Sequence, residues 1–189
     1  MIQTIRVKTV LGSDPSGNSV LSDIRTLLKL TNIERVETAR VYRLEGIGEK
    51  EARLLAEKLF SEKINQKYTV NNSIFNSKTN VLEVSYKPGV MNPEVSSVLK
   101  SAKDLGIKLI AASSSQEYGF FGKIQKDDAE KILEKLKFFN PLIEHIVKKP
   151  PTTLFIQGNR GTTKIIPIRS LGDEQLLHLS KDKLFLNLE

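Results

Sequence analysis

Residues 81–107 read VLEVSYKPGVMNPEVSSVLKSAKDLGI, and three patterns follow one another within them. Leu82, Val84 and Tyr86 alternate with Glu83 and Ser85, the period of two expected of a half-buried strand. Lys87 to Pro93 is a turn rich in proline, glycine and asparagine. Val95, Val98, Leu99, Ala102 and Leu105 then recur at helical spacing as one apolar stripe, with Ser96 or Ser97 as the N-cap. The same succession opens the chain. Ile5 and Val7 alternate with Thr4, Arg6 and Lys8, LGSDPSGNS forms a turn at 11–19, and Val20, Leu21, Ile24, Leu27 and Leu28 make a stripe capped by Ser19 or Ser22.

The order of matches argues for duplication. Asp14-Pro15 ahead of Ser19-Val20-Leu21 recurs as Asn92-Pro93 ahead of Ser97-Val98-Leu99, an offset of 78. Tyr42 and Gly46 recur as Tyr118 and Gly122 at 76, and Glu-Lys-Leu at 57–59 recurs at 134–136, an offset of 77. Each copy continues with a second strand, over Thr38 to Leu44 and Gln116 to Phe121, ending at Gly46 or Gly122. A second helix follows, burying Ala52, Leu55, Ala56 and Leu59 in one copy and Ala129, Ile132, Leu133 and Leu136 in the other. The first copy closes with a strand over Tyr68 to Phe75. In the second, Asn140-Pro141 starts a short helical turn through Leu142, Ile143 and Ile146, which stops at KKPP.

The expected fold is α+β, with two repeats at 1–75 and 76–149 forming an intrachain pseudo-dimer. Segment 150–189 adds a β-hairpin over Thr153 to Ile168, turning at Gly158-Asn159-Arg160-Gly161. A short helix over Asp173 to Ser180 follows, then the alternation Leu184, Leu186, Leu188. An apolar stripe at that end suits packing on a partner, so a homo-oligomer is one expectation.

Composition bounds the chemistry. The chain has 189 residues and no cysteine, which excludes disulfides, thiolate zinc sites and cysteine nucleophiles. No apolar run approaches the ~18 residues of a membrane span, and MIQTIRVKTV is no signal peptide, so a soluble, cytoplasmic protein is expected. The net charge of +7 divides evenly: 12 basic against 9 acidic residues in 1–75, 12 against 9 in 76–149, and 5 against 4 beyond. Nothing is denser than Lys148-Lys149, so no nucleic-acid partner is expected.

Candidate catalytic groups are few. His145 and His178 fall on predicted helices without neighbours at metal spacing, and read as structural. Asp127-Asp128 sits in the first turn of a helix, where carboxylates favour the dipole. The turn at 158–161 lacks the spacing of a phosphate loop, and Ser113-Ser114-Ser115 reads as a loop before a strand. No catalytic, cofactor-binding or metal residue emerges.

The segment at 81–107 resembles the opening of the PurS family, the small subunit of phosphoribosylformylglycinamidine (FGAM) synthase. Its members share a strand, a K-P-G-V-x-D/N-P turn and a helix; here the turn is Lys87, Pro88, Gly89, Val90, Met91, Asn92 and Pro93, with asparagine at a position often filled by aspartate. EKLKFFNPLIEHIV at 134–147 resembles the family's terminal pattern, through Asn140, Pro141, Ile143 and Glu144. Copy one departs further, with VLGSDPSG at its turn and KLFSEKINQKY at its end. It is more similar to the first half of the duplicated PurS-like domain that opens long single-chain FGAM synthases, and 166–189 resembles the linker after that domain.

The resemblance implies a non-catalytic scaffolding part of FGAM synthase in purine biosynthesis, bridging the synthetase domain and the glutaminase and supporting ammonia transfer between them. ATP and magnesium would belong to the synthetase partner, leaving this chain without a cofactor. The turns supply the candidate partner contacts: Lys87, Pro88, Gly89, Asn92 and Pro93, with Gly12, Asp14 and Pro15 in the first copy. The alternative is a stand-alone metabolite-sensing domain that binds its ligand where the two repeats meet.

Overall fold

The computed structural model describes residues 1–10, 14–155 and 168–180. The fold is α+β. Two compact units are distinguished, 1–156 and 157–189. The larger carries β1 (Ile2–Thr9), α1 (Pro15–Leu27), β2 (Ile33–Glu45), α2 (Glu49–Leu55), β3 (Gln66–Val70), β4 (Asn80–Tyr86), α3 (Val95–Asp104), β5 (Ala111–Gly122), α4 (Lys126–Lys135) and β6 (Glu144–Ile146). The described part of the smaller unit holds a 3-10 turn, Ile168–Ser170, and α5 (Asp173–Leu179).

The strands form one antiparallel sheet in the order β3-β1-β2-β5-β4-β6. That order reads the same from either end when β1, β2 and β3 are exchanged for β4, β5 and β6. The two halves meet at β2 and β5, paired from Glu45↔Ala111 to Ile33↔Gly122, with Arg40 opposite Gln116 near the centre. β2 and β5 end alike, at Gly46 with φ +97° and at Gly122 with φ +123°, a region that excludes most side chains. A Cβ at Gly122 would also lie 2.4 Å from the Asn32 carbonyl oxygen.

Helices cover one face of the sheet through two cores, and the halves exchange their first helices. Val98 and Ala102 of α3 pack in a core with Ile5, Val7, Leu44, Leu55 and Val70 of the first half. Val20 and Ile24 of α1 pack with Leu82, Val84, Phe120, Ile132 and Leu133 of the second, where Ile33 and Val36 also lie. Gly17 lets α1 press onto β2, since a Cβ there would stand 2.3 Å from the Val36 carbonyl oxygen.

The opposite face carries charge. Arg6 Nε donates to Glu117 Oε1 at 2.7 Å, and Arg43 forks onto both Glu83 oxygens, with Nη2 to Oε2 at 2.7 Å. Glu83 and Glu117 stand opposite each other on β4 and β5. Burial pushes Glu117 up despite Arg6 and leaves its Oε2 without a partner. Burial raises Glu83 too, but hydrogen bonds from Arg43 and Ser115 outweigh it and hold that carboxyl low. Ile74 and Phe75 pack beside this layer, on Ala39.

Several expectations need correction. Ser113 to Ser115 lie within β5, paired with Arg43, Tyr42 and Val41; small hydroxyls are tolerated there because the strand is covered by its neighbours' ladders and larger side chains. β3 ends at Val70, because Asn71 turns the chain at φ +60°, and Ile74 and Phe75 are buried in the following loop. Asn140 begins a turn, with its Oδ1 accepting from Leu142 N–H at 3.0 Å. Glu144, His145 and Ile146 then pair with Tyr86, Ser85 and Val84, so His145 sits on a strand. Asp14 caps α1 in place of Ser19 or Ser22, and α3 starts at Val95 without a side-chain cap, so neither Ser96 nor Ser97 fills that role. The expected hairpin and the stripe at Leu184, Leu186 and Leu188 fall largely or wholly outside the described residues.

Candidate functional site

Between the two apolar cores the sheet is crossed by a polar seam, and both turns singled out in the sequence run to it. Beyond Arg40, β2 outruns its pairing with β1, which ends at Val7↔Arg40. There Asp14 takes over: Oδ2 accepts from Thr38 N–H at 2.5 Å, both oxygens accept from Thr38 Oγ1, and Oδ1 accepts from Gly17 N–H at 2.9 Å. One carboxylate therefore caps α1 and completes the edge of β2. Pro15 fills the first helical position, where its missing N–H costs nothing.

Asn92 does the corresponding work in the second half. β4 leaves β5 after Ser85↔Ser115, and Asn92 Nδ2 donates to the Ser114 carbonyl at 3.0 Å and to Ser114 Oγ at 3.1 Å. Its Oδ1 accepts from Glu94 N–H at 3.1 Å, which is the Asx turn its residue type favours. Thr38 and Ser114 are themselves 76 residues apart, the offset of the two tyrosines. Asp14 and Asn92 are thus internal braces with their polar atoms occupied.

The other turn residues are placed differently. Lys87 is tied down, its N–H to the Ile143 carbonyl at 2.8 Å and its Nζ to the Pro141 carbonyl. Pro88 and Gly89 are exposed at the tip; Gly89 has φ +88° and open space around it. Pro93 lines a crevice described below, and Gly12 lies outside the described residues.

Arg40 occupies the middle of the seam. Its Nη2 donates to Glu94 Oε1 and to Ser114 Oγ, the latter at 3.3 Å, and Nη1 reaches Gln116 Oε1 at 3.5 Å. Burial would lower the Arg40 guanidinium, but the Glu94 carboxylate more than compensates and holds it above its ordinary value. Burial works against the Glu94 charge as well, and Arg40 and Ser114 together keep that carboxyl low.

A crevice opens on each side of the seam. One, of about 330 Å³, lies over Tyr42 and Phe60, whose rings stack at 4.0 Å, and is bounded by Pro93, Glu94 and Val98. Phe60 reaches it from a π-helical turn, Ala56–Phe60, that extends α2. The other, of about 210 Å³, lies over Tyr118 and Phe138 and is bounded by Ser16, Arg40, Ser114, Gln116 and Glu144. Tyr42 and Tyr118 correspond between halves, as do Glu94 and Ser16, each directly after an Asx-Pro pair. Sequence reasoning missed Arg40, Glu94 and Gln116; the Tyr42 and Tyr118 match at the same offset was the available signal that this stretch of both strands is special.

Among the described residues no cluster of three or more histidine, aspartate and glutamate side chains is placed to hold a metal ion. His145 Nδ1 is buried without a partner. No described helix is long and apolar enough to cross a membrane. No family model matches the chain, and no match is found among curated proteins.

Proposed function

We propose that this chain is the PurS-like scaffolding part of FGAM synthase, a cytoplasmic element that joins the synthetase domain to the glutaminase and supports passage of ammonia between them. The observation that supports this reading is the pairing of the two turn motifs. The K-P-G-V-M-N-P turn and its Asp14-Pro15 counterpart take equivalent places, each bracing the strand by which its half pairs with the other, and the halves share a sheet and exchange helices. Two fused copies of a dimeric subunit would be built this way, with β2 and β5 pairing where two protomers would otherwise meet. A part of this kind contributes position rather than chemistry: ammonia is easily lost to solvent, so the two partner sites must be held on one sequestered path.

The test is functional reconstitution. The chain is expected to co-purify with the synthetase and glutaminase parts, and its removal should abolish glutamine-dependent but not ammonia-dependent FGAM formation. Failure to bind either part, together with unchanged glutamine-dependent turnover, would overturn the assignment.

A further inference from the structure

The two crevices differ at one decisive position. In the second half, Glu94 follows Asn92-Pro93 and lays a carboxylate against the Arg40 guanidinium. In the first half Ser16 follows Asp14-Pro15 and offers only a hydroxyl, and the space beside it is the 210 Å³ crevice that Arg40 also lines. Arg40 therefore has a carboxylate on the side of one half and room for a carboxylate on the side of the other.

The same crevice is also lined by a carboxylate, Glu144. Glu144 uses Oε2 to accept from Asn140 N–H at 2.8 Å, which leaves Oε1 for another donor. Tyr118 lies in the field of both charges: burial pushes its hydroxyl up, the Glu144 carboxylate pushes it further, and the Arg40 guanidinium pulls it back. The hydroxyls of Ser16 and Tyr118 make no protein hydrogen bond, so both are free to serve a ligand. The lining brings together a cation at Arg40, an anion at Glu144 and the hydroxyls of Ser16 and Tyr118. At about 210 Å³ the crevice falls below the roughly 300–1,000 Å³ of drug-sized sites, which suits a small ligand.

We infer that this crevice binds a small free α-amino acid, with its carboxylate on Arg40 and Ser16 in the manner of Glu94 and its ammonium on Glu144. The site belongs to the chain alone and does not depend on the scaffolding role. It is tested by calorimetry and by amide shift mapping on the full chain with glycine, L-alanine and L-glutamine, and with acetate and methylamine as the separate halves of the zwitterion. At least one amino acid should bind about tenfold or more tightly than either half, since each half forgoes one charge-assisted contact. Ser16→Glu supplies the missing carboxylate covalently at an exposed first-turn position, where a negative charge suits the helix. That variant should keep the melting temperature and lose the binding, and Glu144→Gln should weaken it by about tenfold. The inference is overturned if no amino acid binds at about 10 mM, well into the millimolar range of weak ligands, if acetate binds as tightly, or if Ser16→Glu binds like the parent.

Discussion

Replacing Asp14 by alanine should cost more than its position in a surface turn suggests. The side chain does two jobs. As the N-cap of α1 it satisfies Gly17 N–H, a contribution of about 1 kcal/mol. As a surrogate strand it accepts from Thr38, a residue only 9% exposed, and removing it strands a backbone N–H at about 1–3 kcal/mol. The expected loss is about 2–4 kcal/mol, which for a mid-range urea slope of about 2 kcal/mol per molar moves the midpoint by roughly 1–2 M. Asp14→Asn keeps one oxygen for Thr38 N–H but turns its NH2 toward Gly17 N–H, and should lose about 1–2 kcal/mol. Asn92→Ala removes neutral bonds to the carbonyl and hydroxyl of Ser114, a residue only 2% exposed, so about 1–3 kcal/mol is expected. Urea unfolding followed by circular dichroism at unchanged slope measures all three. If Asp14→Ala falls within about 0.5 kcal/mol of the parent, a typical surface substitution, the bracing role of the turn is wrong.

Gly17 and Gly89 separate crowding from conformation, and Gly122 combines the two. Gly17→Ala and Gly122→Ala each drive a methyl into backbone, at 2.3 Å from the Val36 oxygen and 2.4 Å from the Asn32 oxygen, and should each cost about 2 kcal/mol or more. Gly89→Ala meets nothing and should cost only the left-handed strain, about 1–2 kcal/mol, in the same unfolding assay. The two buried carboxylates should act in opposite senses with pH. Glu117 has a raised folded value, so it binds more protons when folded, and its contribution to stability declines as pH rises from the ordinary 4.5 through that raised value. Glu83 is held low, so its contribution is present above 4.5 and is lost as pH falls through its folded value. Stability measured across that range should lose its alkaline-side decline in Glu117→Gln and its acid-side loss in Glu83→Gln.

The alternation around Ile5 and Val7 and around Leu82 and Val84 was enough to place β1 and β4, because one face of each is packed and the other polar. The stripes of α1 to α4 were equally plain. Other features depended on contacts that local pattern does not carry. Ser113 to Ser115 have no strand propensity, and they extend because β2 pairs with all three and β4 with Ser115. Residues 144–146 become strand because Tyr86 and Val84 are there to pair with, although Asn140-Pro141 is good helix-start chemistry. The turns were found for the right reason, their Asx and proline residues, but their polar atoms face inward to Thr38 and Ser114. The seam around Arg40 could not be read locally, since Glu94 and Gln116 lie 54 and 76 residues away.

The exchange of helices sets a timetable for synthesis. The apolar stripe of α1 is complete once Leu28 has been made, but much of the surface that covers it belongs to Leu82, Phe120, Ile132 and Leu133. At roughly 5–20 residues per second, the ribosome needs several seconds or more to deliver the last of these. Throughout that interval the nascent first half carries an uncovered helix and the open edge of β2, a template for pairing with a neighbouring nascent chain. Ribosome-associated chaperones would therefore matter for this protein before residue 133 and little after it, and slowing translation in that window should raise aggregation more than slowing it later.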